Sequence, residues 1–185
     1  CVETVGVSDV VDKAVSDDYV LSNGLMAGYN PTNFGTNDSL SRAMVAQLFY
    51  NMEGQPKGNY ENKFPDVEEN MWYRNAISWA YTNGVVSGYG DGLYRPNKDV
   101  SREELVQIFC NYAKAKGLSD GQRIADLTSF EDYKDIASWH EVAVSWGVGS
   151  GLLGGKGGNI MAPKMSATRA EAAQILMSFC LKVKK

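Results

Sequence analysis

Phe64-Pro65-Asp66-Val67 opens the stretch whose reading decides the fold. It is followed by a helical run from Trp72 to Asn83 and the turn Gly84-Val85-Val86-Ser87-Gly88-Tyr89-Gly90-Asp91-Gly92. Then come Tyr94-Arg95-Pro96 and Val100-Ser101-Arg102-Glu103-Glu104, which starts a second helix. A unit of this size, one helix, a glycine turn and a capped second helix, cannot bury its own apolar faces and needs copies to pack against. Copies flank it. Gly24, Gly28, Phe34, Ser41-Arg42 and Gln47 stand 60 residues before Gly84, Gly88, Tyr94, Ser101-Arg102 and Gln107. Trp139, Trp146, Gly151, Gly155, Pro163, Thr168-Arg169 and Gln174 stand 67 residues after Trp72, Trp79, Gly84, Gly88, Pro96, Ser101-Arg102 and Gln107. The chain divides into three repeats, 1–53, 64–116 and 130–182, that together form one composite domain.

The second helix of each repeat carries the same apolar columns: Val45, Leu48, Phe49 and Met52; Leu105, Ile108, Phe109 and Tyr112; Ala172, Ile175, Leu176 and Phe179. This is the i, i+3, i+4, i+7 spacing of a buried helical stripe. Three such helices are expected to pack on one another as a central three-helix bundle in an all-α fold. The first repeat is the most divergent: Val7-Ser8-Asp9-Val10 stands in place of Phe64-Pro65-Asp66-Val67, Tyr19 in place of Trp79 and Asp12 opposite Trp72, with the helix ending near Ser22. Polar connectors, Glu53–Lys63 and Lys116–Ser129, join the repeats.

Composition narrows the function. At 185 residues, 44% apolar and 22% charged, the chain can bury a sizeable core. A net charge of −4 offers no basic stripe to neutralise phosphates, which argues against a nucleic-acid partner. No apolar run approaches the roughly 20 residues of a transmembrane helix. Three cysteines cannot all pair within one chain; Cys110 and Cys180 read as buried free thiols among apolar neighbours. Cys1 reads either as a chain boundary or as the lipidated cysteine of a lipoprotein.

Arg42, Arg102 and Arg169 are the residues that local structure explains least. Ser101 with Glu104 and Thr168 with Glu171 form capping boxes, which account for the hydroxyl and the carboxylate. A cation in the first helical turn, however, faces the positive end of the helix dipole, at a cost of up to about 1 kcal/mol. Two compensations are open. One is an ion pair with an aspartate of a neighbouring repeat (Asp9, Asp66 or Asp132). The other is an anionic ligand held jointly by guanidinium and helix N-terminal amides.

Gly24, Gly84 and Gly151 directly follow a helix, where a left-handed cap wants glycine. Gly28, Gly88 and Gly155 either serve the backbone alone or let a sugar approach it. Trp72 with Trp79, and Trp139 with Trp146, lie seven residues apart and so on one helix face, as core or as a stacking platform. No catalytic constellation, cofactor motif or metal-ligand spacing is present; His140, the lone histidine, aligns with Tyr73 and falls outside the repeated design. These residues point to no enzyme.

With these motifs in view, the chain resembles a tandem of three S-layer homology repeats from about Val7 to Phe179. Ala167-Thr168-Arg169-Ala170-Glu171 is close to that family's Ile-Thr-Arg-Ala-Glu signature, and Val100-Ser101-Arg102-Glu103-Glu104 is a near variant. The resemblance implies a pseudo-threefold spindle around three central helices. It also implies noncovalent attachment to the outside of a bacterial cell wall through an anionic secondary cell wall polysaccharide, often bearing pyruvate-ketal N-acetylmannosamine. Peptidoglycan or other envelope proteins are the partners of similar modules. Family grooves between repeats use the signature arginine, glycine-turn backbone and aromatic rings, which carries the ligand role to Arg42, Arg102, Arg169, Gly28, Gly88, Gly155, Trp72 and Trp139, with the Arg102 groove foremost. Leu40-Ser41-Arg42-Ala43-Met44 departs from the signature by lacking its glutamate. The alternative is a structural module for protein–protein interaction or self-assembly in the envelope.

Overall fold

The computed structural model describes residues 7–30, 33–118 and 124–184, with side chains from residue 14 onward; Cys1 and the side chains of Asp9 and Asp12 lie outside the described residues. Helix α1 spans Val7–Ser22, α2 Arg42–Met52, α3 Arg74–Thr82, α4 Arg102–Ala115, α5 Glu141–Gly149 and α6 Arg169–Lys182, with a 3-10 turn at Tyr133–Asp135. The fold is all-helical, and the described residues contain only isolated β-bridges.

The long helices start where the sequence puts their caps. Ser41, Ser101 and Thr168 each accept a hydrogen bond from the amide three residues on, and Glu104 and Glu171 complete capping boxes by accepting from the Ser101 and Thr168 amides. Helix α3 begins later than the run from Trp72 predicts, because Met71 to Tyr73 form a turn in which the Arg74 amide donates to the Met71 carbonyl. Trp72 therefore lies outside the helix, and the shared face expected for Trp72 and Trp79 does not exist. Trp79 and Trp146 are core residues, whereas Trp72 is 60% exposed and Trp139, outside α5 in the same way, 75% exposed. In the first repeat Val7-Ser8-Asp9-Val10 is already helical, having no proline to hold it as a loop.

Helices pair between repeats: α1 with α6, α2 with α3, α4 with α5. The stripes of α2, α4 and α6 meet, but through long side chains that hold the backbones apart. The Phe49 and Phe109 rings lie 4.8 Å apart, Phe109 and Phe179 5.4 Å, Phe49 and Tyr112 4.9 Å, and all four are fully buried. Edge and tilted contacts of this kind stabilise beyond the area they bury.

Above this core, three extended segments close a ring. The Leu40 amide donates to the Ala167 carbonyl (3.0 Å), Ala167 to Val100 (2.8 Å) and Val100 to Leu40 (2.9 Å). All three residues are fully buried. Each segment then feeds directly into a helix N-terminus. The first two helical amides also bond across repeats, Arg42 and Ala43 to the Lys98 and Pro96 carbonyls, Arg102 and Glu103 to Met165 and Pro163, Arg169 and Ala170 to Asp38 and Thr36. With the third amide satisfied by the cap hydroxyl, these helix starts keep few donors for an outside anion.

Gly24, Gly84 and Gly151 adopt φ of +64°, +70° and +67°, the left-handed cap their position predicts. The second glycine column answers to packing. A Cβ on Gly88 would lie 2.5 Å from the Phe64 ring and 3.0 Å from the Leu93 carbonyl oxygen, and one on Gly155 would lie 2.9 Å from the Ile160 oxygen. Gly88→Ala is expected to lower stability by roughly 1–3 kcal/mol through overpacking. Urea titration checks this, and an unchanged midpoint would mean that the turn can yield. Of the thiols, Cys110 is buried as expected, whereas Cys180 is only half-buried because it sits near the C-terminal end of α6.

Candidate functional site

Each signature arginine is buried, 7%, 5% and 5% exposed for Arg42, Arg102 and Arg169, and reaches into the glycine turn of another repeat. Arg42 Nε and Nη2 donate to the Tyr94 and Ser87 carbonyls (2.8 and 2.6 Å). Arg102 uses the same atoms on Met161 and Gly154 (3.0 and 2.6 Å), and Arg169 on Phe34 and Ala27 (2.8 and 2.5 Å). Among the described residues, carbonyl dipoles at all three arginines, joined at Arg102 by the Glu171 carboxylate, thus offset the unfavourable helix-dipole position. Of the two compensations left open, ion pairs with Asp66 and Asp132 do not form, because those carboxylates hold backbone amides: Asp66 those of Tyr94 and Arg95, Asp132 those of Met161 and Ala162. Arg95 and Ala162 sit at φ of +59° and +52°, so the aspartates stabilise a strained turn.

The turns, the second helices and the arginines enclose three grooves built alike. The largest, about 830 Å³, is lined by Arg42 of the first repeat, Ser87 to Gly90, Glu103, Glu104, Gln107, Ile108 and Asn111 of the second, and Trp139 and His140 of the third. Another, about 270 Å³, combines Arg169 with Leu25 to Ala27, Met44, Gln47 and Trp72. A third, about 370 Å³, combines Arg102 with Gly151 to Gly155, Glu171 and Gln174. Every groove therefore draws its arginine from one repeat and its turn and helix from the next. The tryptophan, where one is present, comes from the third. Gly88 and Gly155 line their grooves, while Gly28 opens onto an adjoining cleft of about 720 Å³ beside α1 that shares Met26, Ala27 and Asn51 with the Arg169 groove.

Stacking holds two of the guanidinium groups flat. Arg42 lies 4.7 and 4.5 Å from the Tyr89 and Tyr94 ring centres, and Arg169 lies 5.0 and 4.8 Å from Tyr29 and Phe34. Arg102 has Lys156 and Met161 at the matching positions and instead pairs with Glu171 at 2.5 Å. Burial pushes the Glu171 carboxyl up, but bonds from Lys156 and the Thr168 amide, with the charge of Arg102, bring it below its usual value.

In the Arg42 groove Lys98 bonds both Tyr89 Oη (2.8 Å) and Glu104 (3.3 Å), and Lys164 pairs with the buried Glu103. His140 Nδ1 lies 3.2 Å from Gln107 Oε1, and burial lowers its pKa below the ordinary imidazole value. Sequence reasoning assigned no groove role to two contributors here. His140 aligns with no other histidine, so nothing in its column marks it as a groove residue. Gln47, Gln107 and Gln174 did carry a signal: one polar residue recurring three times beside an apolar stripe.

Residues 63–106 and 129–173 each match the model of the S-layer homology domain. These two segments identify the second and third repeats as S-layer homology domains. The chain is 30% identical to the exoglucanase XynX of Acetivibrio thermocellus over 94% of its length, and 30% identical to an amylopullulanase of Thermoanaerobacterium thermosulfurigenes over 91%. It is 28% identical to the S-layer protein EA1 of Bacillus anthracis over 87%. It spans only 16%, 9% and 18% of those proteins. An alignment over 94% of the chain also reaches into the residues before 63, where the first repeat lies. No helix among the described residues is long and apolar enough to cross a membrane.

Proposed function

We propose that the chain is a noncatalytic anchoring module that holds a larger protein to the outside of a bacterial cell wall by binding an anionic, pyruvylated wall polysaccharide in the grooves between its repeats. The three segments 1–53, 64–116 and 130–182 act as pseudo-threefold repeats, a reading supported by the cyclic hydrogen bonds of Leu40, Val100 and Ala167. Matches to polysaccharide hydrolases and to an S-layer protein, each many times longer than this chain, fit a portable module better than an enzyme.

One observation carries the reading most directly. In the Arg42 groove, a buried guanidinium stands on one side and an indole, Trp139, 75% exposed, on the other. Exposing an indole to water is unfavourable, and a sugar ring offers it an apolar face while a ketal carboxylate offers the arginine an anion. The arginine keeps one edge for this purpose, since Nη1 of Arg42 has no hydrogen-bond partner among the described residues.

Calorimetric titration with purified pyruvylated wall polysaccharide is expected to show saturable binding, and chemical removal of the pyruvate to abolish most of it. Trp139→Ala is expected to weaken binding about tenfold, from the apolar area lost, with an unchanged melting temperature. Equal affinity for both polymers would remove the anionic ligand from the proposal. No binding to either, with concentration-dependent assembly by light scattering, would replace anchoring with self-assembly.

A further inference from the structure

The three grooves share a plan but not a charge, and one helical position makes the difference. Three residues into each second helix stand Met44, Glu104 and Glu171. Each lines the groove of the arginine that reaches into its own repeat: Met44 with Arg169, Glu104 with Arg42, Glu171 with Arg102. We infer that this residue decides whether a groove accepts a carboxylate, and that Glu171 closes the Arg102 groove by occupying the place a ligand's carboxylate would take. The inference rests on the anionic-glycan reading and sharpens it to particular grooves.

The geometry at Glu171 is that of a bound anion. Its Oε1 meets Arg102 Nη1 at 2.5 Å and Lys156 Nζ at 2.6 Å, and its Oε2 accepts the Thr168 amide at 2.9 Å. With Met161 and Gly154 on its other two nitrogens, the Arg102 guanidinium has an acceptor at every nitrogen, whereas Arg42 and Arg169 each keep a terminal nitrogen without one among the described residues. An incoming carboxylate would have to displace a half-buried internal one that stays tethered at high effective concentration, or lie beside it as a like charge.

Glu104, the matching acid of the Arg42 groove, is drawn off. Its Oε1 lies 3.3 Å from Lys98 Nζ and 3.4 Å from Tyr89 Oη, and it forms no ion pair with Arg42. The residues lining the Arg169 groove itself include no acid, since Met44 replaces the glutamate and Gln47 and Asn51 are uncharged; Asp17 and Asp18 line the adjoining cleft beside α1. Nη1 of Arg169 has no partner among the described residues. For an anion the grooves thus rank Arg169 and Arg42 above Arg102, the groove put foremost from the sequence.

Arginine Nε–Hε resonances read the three grooves separately, assigned by single Arg→Lys variants. The probes are sodium pyruvate and the methyl glycoside of 4,6-pyruvylated N-acetylmannosamine, added to the whole chain. In the parent protein the Arg169 and Arg42 signals are expected to shift saturably and the Arg102 signal to stay. Glu171→Gln, which keeps a capping-box residue, is expected to bring the Arg102 signal into the titration. Met44→Glu is expected to weaken the Arg169 response about tenfold, the scale of one charged hydrogen bond. Parallel shifts of all three signals in the parent, or a silent Arg102 in Glu171→Gln, would overturn the inference while leaving the anionic ligand in place. No shift at any arginine with either probe would overturn both.

Discussion

A Phe109→Ala variant is expected to unfold roughly 3–5 kcal/mol more easily than the parent, the range for emptying an aromatic site in a close-packed core. It is also expected to unfold in one transition. Phe109 is fully buried and its ring meets Phe49 of α2 and Phe179 of α6, so the cavity opens where all three long helices converge. The same logic excludes a local effect on the second repeat. That repeat packs α4 on α5 of the third and α3 on α2 of the first, and Val100 and Ala167 close the ring of amides above. A unit so connected has little stability to lose by itself. Urea unfolding followed in parallel by tryptophan fluorescence and far-ultraviolet circular dichroism tests the claim. A loss below about 1 kcal/mol, or two separated transitions, would show that the repeats stabilise themselves individually.

How much of this was legible in the sequence differs from layer to layer. Apolar columns such as Leu105, Ile108, Phe109 and Tyr112 predicted the central helices, because helix period and burial are local consequences of residue order. Capping boxes at Ser101 and Thr168 were legible for the same reason: donor and acceptor are three residues apart. Trp72 was misplaced because a seven-residue spacing implies a shared face only while the helix continues, and the turn before Arg74 interrupts it. The arginines show a different limit. Their anomalous position in the helix dipole was visible, and so was the need for compensation. The compensating groups are not: Ser87, Tyr94, Gly154 and Met161 contribute carbonyls, and a carbonyl belongs to every residue alike. Side-chain identity therefore suggested aspartates, while the aspartates were needed to hold strained turns at Arg95 and Ala162.

Arg102→Ala is expected to destabilise by roughly 3–5 kcal/mol, the cost of breaking a buried ion pair by removing one partner. Arg102 is 5% exposed, pairs with Glu171 and satisfies the Met161 and Gly154 carbonyls across the repeat boundary. Removing it leaves the Glu171 carboxylate with only Lys156 and the Thr168 amide, and two carbonyls without their donor. Arg42→Ala should cost less, about 1–3 kcal/mol, because only carbonyl bonds and ring stacking are lost and no acid is abandoned. Arg102→Lys should recover little of the loss, since one ammonium cannot span three acceptors that diverge around a planar fork. The order Arg102→Ala worse than Arg42→Ala, measured by urea titration, distinguishes this account from one in which the arginines only await a ligand. On that second account neither substitution would move the midpoint in the absence of glycan, and Arg102→Lys would behave as the parent. The distinction matters for function too. A fall in wall binding on losing Arg102 would follow from a loosened repeat boundary alone, whereas Trp139, exposed and without a comparable internal task, reports on the ligand itself.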